Sequence, residues 1–257
     1  MPVIEKMLNG ILRYNKASKA NSLKKLIEIN KNIQPKAVIF SCMDARVRPN
    51  RFLDDDLGDH FIVRNVGNMV PDASTLNQNT VSTEAGALEF GCIQKNVKDI
   101  VVCGHSDCKT VNMLYDTCIQ QKEDEPSKSY LEMWLKLHGR DTIDMFKQLK
   151  PSNNYAGPLL FEIENYKSFE AYIDPENKFS ITDKFSQVNC LQQLHHISTY
   201  PFLKLKLMTG QLFLHAFWFD VHSADVYMFS RSRKQFIPVS QDNYEHLLVD
   251  SHEQIPK

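Results

Sequence analysis

Two short apolar runs, each leading into a cysteine-bearing motif, constrain this chain more than anything else in it. Ala37-Val38-Ile39-Phe40 leads to Cys42-Met43-Asp44-Ala45-Arg46, and Ile100-Val101-Val102-Cys103 leads to Gly104-His105-Ser106-Asp107-Cys108. Runs of this length, rich in β-branched residues and bounded by polar segments, have the pattern of strands buried on both faces. Both motifs then fall just past the carboxyl ends of strands, where open α/β sheets build their ligand crevices. The expected fold class is therefore α/β, with a mostly parallel central sheet flanked by helices.

The motifs carry a specific chemistry. Cys42, His105 and Cys108 form a soft nitrogen-and-sulfur ligand set that suits zinc. They supply three ligands to an ion that takes four. A structural site would close with another Cys or His, whereas a catalytic site leaves the fourth position to water. His105 and Cys108 are three residues apart, so a helix starting near Ser106 would put them on one face. Cys108 would then lie in a first helical turn, where the dipole favours thiolate. Asp44 and Arg46 share a side if the chain stays extended past the strand. They can pair there, and Asp44 can accept a hydrogen bond from water at the fourth position.

Elsewhere the pattern is coarser. Residues 3–29 place Ile4, Met7, Leu8, Ile11, Leu12, Leu23, Leu26 and Ile27 at helical spacing among lysines, as in an amphipathic arm of one or two helices. The alternative of a removed presequence fits less well, because such segments are rich in Arg and Ser. Phe61–Asn68 reads as a strand running into a turn, residues 80–95 and 106–121 as helices. Residues 122–198 are polar, with helices near 128–150 and 183–198 around an irregular stretch. Leu212–Asp220 and Asp225–Ser230 alternate as a hairpin turning at 221–224, and a weakly helical tail follows. No linker or repeat divides the chain, so residues 1–257 are taken as one domain with a helical arm over about 1–31.

Composition excludes several classes. The formal net charge of −1 over 257 residues offers no basic surface for nucleic acid or membrane. No apolar run approaches the ~20 residues needed to span a bilayer. The six cysteines have no secreted-framework spacing and no signal peptide precedes them. An intracellular setting, cytoplasm or mitochondrial matrix, is expected. Cys92, Cys103 and Cys118 sit in apolar context as core cysteines, and Cys190 is unassigned. His195, His196, His215 and His222 lack Cys or carboxylate companions at ligand spacing and read as surface or capped-core histidines. Asp54-Asp55-Asp56 and Arg231–Lys234 read as solvated segments.

CMDAR, RNVGN and CGHSDC, in this order and at these separations, resemble the β-class carbonic anhydrases, the CGHSDCK form most of all the animal members. The resemblance covers nearly the whole chain, more loosely over 122–185. It implies zinc held by Cys42, His105 and Cys108, an Asp44–Arg46 pair, and hydration of carbon dioxide to bicarbonate. It also implies a homodimer, possibly paired into a tetramer, whose N-terminal helices wrap the partner and whose active sites lie at the subunit interface. Phe61, Val66, Gly67 and Phe90 match the family's substrate pocket. Gln34 matches a substrate-binding glutamine, one residue short of its usual spacing to Cys42. Two departures stand out: Ala45 replaces a common Ser, and Phe90 a common Tyr. Some members close at low pH, when the equivalent of Asp44 becomes the fourth zinc ligand. Those often carry Trp three residues before the first zinc cysteine, where this chain has Ile39, so the open form is expected. Zinc deaminases also use one His and two Cys, but need H-x-E, which His105-Ser106-Asp107 does not supply. A non-catalytic zinc- or bicarbonate-binding scaffold is the alternative; retention of Asp44 and Arg46 argues against it.

Overall fold

The structure, a computed structural model, describes residues 2–54, 56–117, 129–163 and 168–252. Two amphipathic helices come first, α1 (Val3–Ala17) and α2 (Lys19–Ile29), and neither buries a residue. Then follow β1 (Ala37–Cys42), β2 (His60–Asn65), α3 (Thr83–Leu88), β3 (Asp99–His105), α4 (Lys109–Tyr115) and α5 (Tyr130–Phe146). The second half contains β4 (Leu159–Phe161), β5 (Phe169–Ala171), α6 (Ile181–Ser198), α7 (Lys204–Met208), β6 (Phe213–Phe219), β7 (Val226–Ser230), β8 (Gln235–Pro238) and α8 (Tyr244–His252).

Six strands make the main sheet in the order β2-β1-β3-β6-β7-β8. The first four run parallel, and β7 and β8 add antiparallel to them. The two apolar runs are thus adjacent central strands, β1 and β3, buried along almost their whole length. One face, through Val38, Phe40, Ile100, Val102, Leu214 and Ala216, joins the main core under the helices. The other carries a smaller layer of Ala37, Ile39 and Val101 with Phe217.

Local chemistry sets the helix boundaries. Ser82, Ser129 and Ser180 each accept a backbone N–H three residues on and cap α3, α5 and α6. The helix expected over 80–95 stays α-helical only to Leu88 and continues as a π-turn over Glu89–Gln94. That turn lays Gly91 against β1, where a Cβ would come within 2.4 Å of Val38 Cγ2.

Three findings differ from the sequence reading. The helix expected from 106 begins at Lys109, and its far end from 118, with Cys118, lies outside the described residues. The irregular stretch before residue 180 contains the β4–β5 ladder, and β8 extends the sheet where a weakly helical tail was expected, just past Arg231–Lys234, which is a largely exposed turn as read from sequence. Most consequentially, α6 is no peripheral polar helix. From Asp183 to Ser198 every residue except His195 is buried, against β3 and β6.

Candidate metal centre

Cys42 is the last residue of β1 and His105 the last of the adjacent β3; the register Ser41↔Cys103 leaves them one residue out of step at neighbouring strand ends. Cys108 follows on a tight turn. Asp107 takes a left-handed backbone (φ 49°), which Asp tolerates better than most residues. Its N–H is held by Asp183 Oδ1 at 2.6 Å. Cys108 therefore caps α4 rather than sharing a helical face with His105; the turn, not a helix, juxtaposes them.

The three ligating atoms lie within 4.8 Å of one another, and the two sulfurs are 3.8 Å apart. All three residues are at most 2% exposed. His105 Nδ1 is 2.8 Å from the Ser106 carbonyl, an acceptor, so Nδ1 carries the hydrogen and Nε2 the lone pair. Nε2 is buried and has no hydrogen-bond partner. An orphaned imidazole nitrogen facing two buried thiols is an arrangement that a thiophilic cation satisfies and the polypeptide does not. The thiols share this character. The Cys42 thiol is pulled down by the hydrogen bond from Cys108 and by His105, and the Cys108 thiol is pushed up by the same neighbour and by burial. Each thiol's hold on its proton is set by the other, and a bound metal would displace the protons they carry. Cys92 and Cys103 show the contrast: burial pushes each up to about 12, as inert core thiols. Cys190 is buried too, its thiol at 3.2 Å from the Phe217 carbonyl.

Beside the trio, Asp44 is gripped by Arg46. Its Oδ2 accepts from Nη2 at 2.7 Å, and its Oδ1 from Nε at 3.1 Å and from the Arg46 backbone N–H at 2.9 Å. These bonds hold the carboxyl at about 2, so it is ionised. Arg64 ties down the same loop, donating to the carbonyls of Cys42 (3.1 Å), Asp44 (2.7 Å) and Val47 (2.7 Å).

The buried side of the site is set by α6. Ser186 Oγ donates to the His105 carbonyl (2.7 Å) and accepts from Trp218 Nε1 (3.1 Å). Asn189 Nδ2 donates to the Gly67 carbonyl and Gln193 Oε1 accepts from the Val70 N–H. Ser106 Oγ donates to Asp220 Oδ1 at 2.7 Å. None of these supports was named from sequence. Asp107 stood inside a motif and could have been; Ser186, Asn189 and Gln193 carry no signal, because distant polar residues on an unpatterned helix look solvated.

The expected pocket residues divide. Val66 and Gly67 form the turn after β2, at the Cys42 end, where Cys42 pairs with Asn65; Gly67 takes φ 75° and Trp134 Nε1 donates to the Val66 carbonyl. Phe61 pairs with Val38 instead, four residues back along β1 or about 13 Å. Its ring meets Phe90 at 5.5 Å, and Phe90 is 42% exposed. Gln34 is exposed and precedes β1, at the end opposite the trio. One chain does not bring Phe61, Phe90 and Gln34 to its own Cys42.

Two of the histidines, His196 and His215, are capped by residues far off in sequence, and His222 is exposed. His196 sets Nδ1 2.8 Å from the Val70 carbonyl and Nε2 2.9 Å from Asp141, and His215 meets Asp99 at 2.9 Å. Asp72 joins His195 and His196 as a second possible ligand group, but both His196 nitrogens are already engaged.

A family model described as carbonic anhydrase matches residues 37–226. Beta carbonic anhydrase 1 of Caenorhabditis briggsae is 36% identical over 266 residues, spanning 98% of this chain and 94% of that one. The chain belongs to the β-carbonic anhydrase family. Beta carbonic anhydrase 1 of Caenorhabditis elegans is equally 36% identical, over 262 residues and the same shares of both chains. Solved β-carbonic anhydrases share the fold. The β-carbonic anhydrase CcaA superposes with a TM-score of 0.69 at 21% identity, covering 93% of this chain and 92% of that one. The Coccomyxa enzyme, solved with acetazolamide, gives 0.63 at 16% identity, with 95% and 91% covered. One chain from two tetrameric β-carbonic anhydrases of Sordaria macrospora also gives 0.63 at 16%, with 92% and 98% covered. Among the described residues, no helix of this β-carbonic anhydrase is long and apolar enough to cross a membrane.

Proposed function

We propose that this member of the family hydrates carbon dioxide reversibly to bicarbonate and a proton, with one zinc ion held by Cys42, His105 and Cys108. The observation that carries the reading is the orphaned His105 Nε2 among two buried thiols, next to a carboxylate locked by a bidentate arginine. Zinc, when bound, supplies a Lewis acid with one coordination position open to water.

The protein's own residues do the rest. Two thiolates cancel the formal charge of the ion, so the site needs a further group to favour loss of a proton from water. Asp44, kept ionised by Arg46, accepts that hydrogen bond and fixes the direction of the lone pair left for carbon dioxide. The Arg46 grip stops Asp44 from turning inward to become a ligand itself. Val66 and Gly67 supply a small apolar wall for an uncharged substrate.

A single chain leaves this pocket half built, and the proposal includes its completion by a second copy. The α1–α2 arm exposes Ile4 (63%), Leu8 (54%) and Ile11 (54%) on one stripe. Phe90 and Gln34 are exposed at the far end of β1. In a dimer with reciprocal arms, Phe61, Phe90 and Gln34 of one subunit serve the metal site of the other. The decisive experiment is Asp44→Asn with Arg46→Ala. Both variants are expected to retain zinc at the parent's stoichiometry and to lose at least ~10²-fold in hydration, the usual scale of a lost proton acceptor. Parent activity in Asp44→Asn at neutral pH would remove Asp44 from the mechanism.

A further inference from the structure

The Asp44–Arg46 pair has a third member. Arg46 Nη1 donates to Asp107 Oδ2 at 2.9 Å, and Arg46 Nη2 donates to the Asp107 carbonyl at 2.9 Å. The guanidinium is therefore held at both edges, by Asp44 from the loop after β1 and by Asp107 from the turn after β3. The first loop carries Cys42 and the second carries His105 and Cys108. From these contacts we infer that Asp107 is a positioning residue: it clamps Arg46 so that Asp44 stays off the metal, and it staples together the two loops that carry the ligands.

The geometry explains why Asp44 alone would not suffice. Asp44 is two residues from Arg46 on one exposed loop, and the Arg46 side chain is 42% exposed. The pair is bidentate, but without Asp107 both of its members would belong to one exposed loop and move with it. Asp107 restricts that freedom, because its backbone is anchored to the core. Its N–H is bound by Asp183 Oδ1 (2.6 Å), its Oδ1 by Lys109 Nζ (2.7 Å), and its backbone is set by the left-handed turn. Asp183 in turn lies at the capped start of the buried helix α6. The clamp thus anchors an exposed arginine to the rigid core through one carboxylate. The effect on the metal rests on the proposed zinc chemistry; the clamp itself does not.

The test uses the full chain with Asp107→Gly and Asp107→Asn, both residues that accept a left-handed backbone, so the turn survives. In protein labelled with 15N-arginine, the Arg46 Nη1–H signal, identified by its loss in Arg46→Lys, reports the Asp107 contact without metal or activity. Hydrogen exchange of that proton is expected to quicken at least ten-fold in Asp107→Gly and by less in Asp107→Asn. In the cobalt(II)-loaded protein, azide binding followed by visible absorption should weaken about ten-fold in Asp107→Gly, because a released Asp44 competes for the open position. kcat should fall with KM little changed. Unchanged Arg46 exchange in both variants overturns the clamp. Quickened exchange with unchanged azide binding keeps the clamp and overturns its role at the metal. Failure of the parent to bind cobalt or to hydrate carbon dioxide strikes the proposed function and leaves the exchange result standing.

Discussion

Replacing Ser186 by Ala should destabilise the protein out of proportion to the one oxygen removed. Ser186 is 2% exposed and its hydroxyl has two jobs, donating to the His105 carbonyl and accepting from Trp218 Nε1. Trp218 is fully buried, so its N–H has no water to turn to. An orphaned buried donor costs about 1–3 kcal/mol, and loss of the bond to the carbonyl adds about 1 kcal/mol. The space vacated by one hydroxyl oxygen is about the minimum a rescuing water requires, and its surroundings are tight. The expected loss is therefore about 2–4 kcal/mol, read as a fall in urea midpoint at unchanged slope and at fixed zinc concentration. A double-mutant cycle sharpens the test. Ser186→Ala with Trp218→Phe removes both partners of the N–H···O bond, so the pair should cost at least ~1 kcal/mol less than the sum of the single changes. A Ser186→Ala cost below ~0.5 kcal/mol, or strict additivity in the cycle, would refute the idea that α6 holds the ligand strand in place through this hydroxyl.

Two further outcomes follow from the same structure. The Asp141 carboxyl is pulled below its ordinary range by the hydrogen bond from His196, so its contribution is present above the unfolded carboxylate value of ~3.9 and fades as pH falls below it. Asp141 is half exposed, so Asp141→Asn should cost only about 0.5–1 kcal/mol at pH 6, with the gap to the parent narrowing as pH falls below ~3.9; a gap that widens on acidification would contradict this. Deleting residues 1–28 should lower the sedimenting mass of the assembly or cause aggregation, since the arm's apolar stripe is unburied in one chain; a soluble, active truncation with the parent's subunit number would show that the arm covers no partner.

The legible parts of this protein were those where chemistry and periodicity act locally. The strands β1 and β3 announce themselves because a parallel strand buried on both faces needs a continuous apolar run, and the ligands stand where such strands end. The amphipathic arm and the β6–β7 hairpin are legible for the same reason, one pattern per element. The helix α6 is not. Its core positions include Lys184, Gln187, Asn189, Gln192 and Gln193, which by composition belong in water. Distant segments partner three of them: Lys184 Nζ bonds the Asn154 carbonyl at 2.6 Å and Asn177 Oδ1 at 2.7 Å, Asn189 Nδ2 the Gly67 carbonyl at 3.1 Å, and Gln193 the Val70 N–H at 2.7 Å. A buried polar group is stable only once all its partners are in place, and no window of sequence contains them. The Cys108 geometry fails for a smaller reason. A His-x-x-Cys spacing fits one face of a helix and a left-handed turn equally well, and Asp107 decides between them.

On the proposed function, Cys42, His105 and Cys108 hold the zinc through which carbon dioxide is hydrated. Stopped-flow hydration by the full chain, run with metal analysis on the same sample, tests it most directly. About one zinc per chain is expected, with activity abolished by a strong chelator and restored by added zinc, and with both metal and activity lost in Cys42→Ala, His105→Ala and Cys108→Ala. Full hydration by a zinc-free preparation, or by any of the three variants, would contradict it.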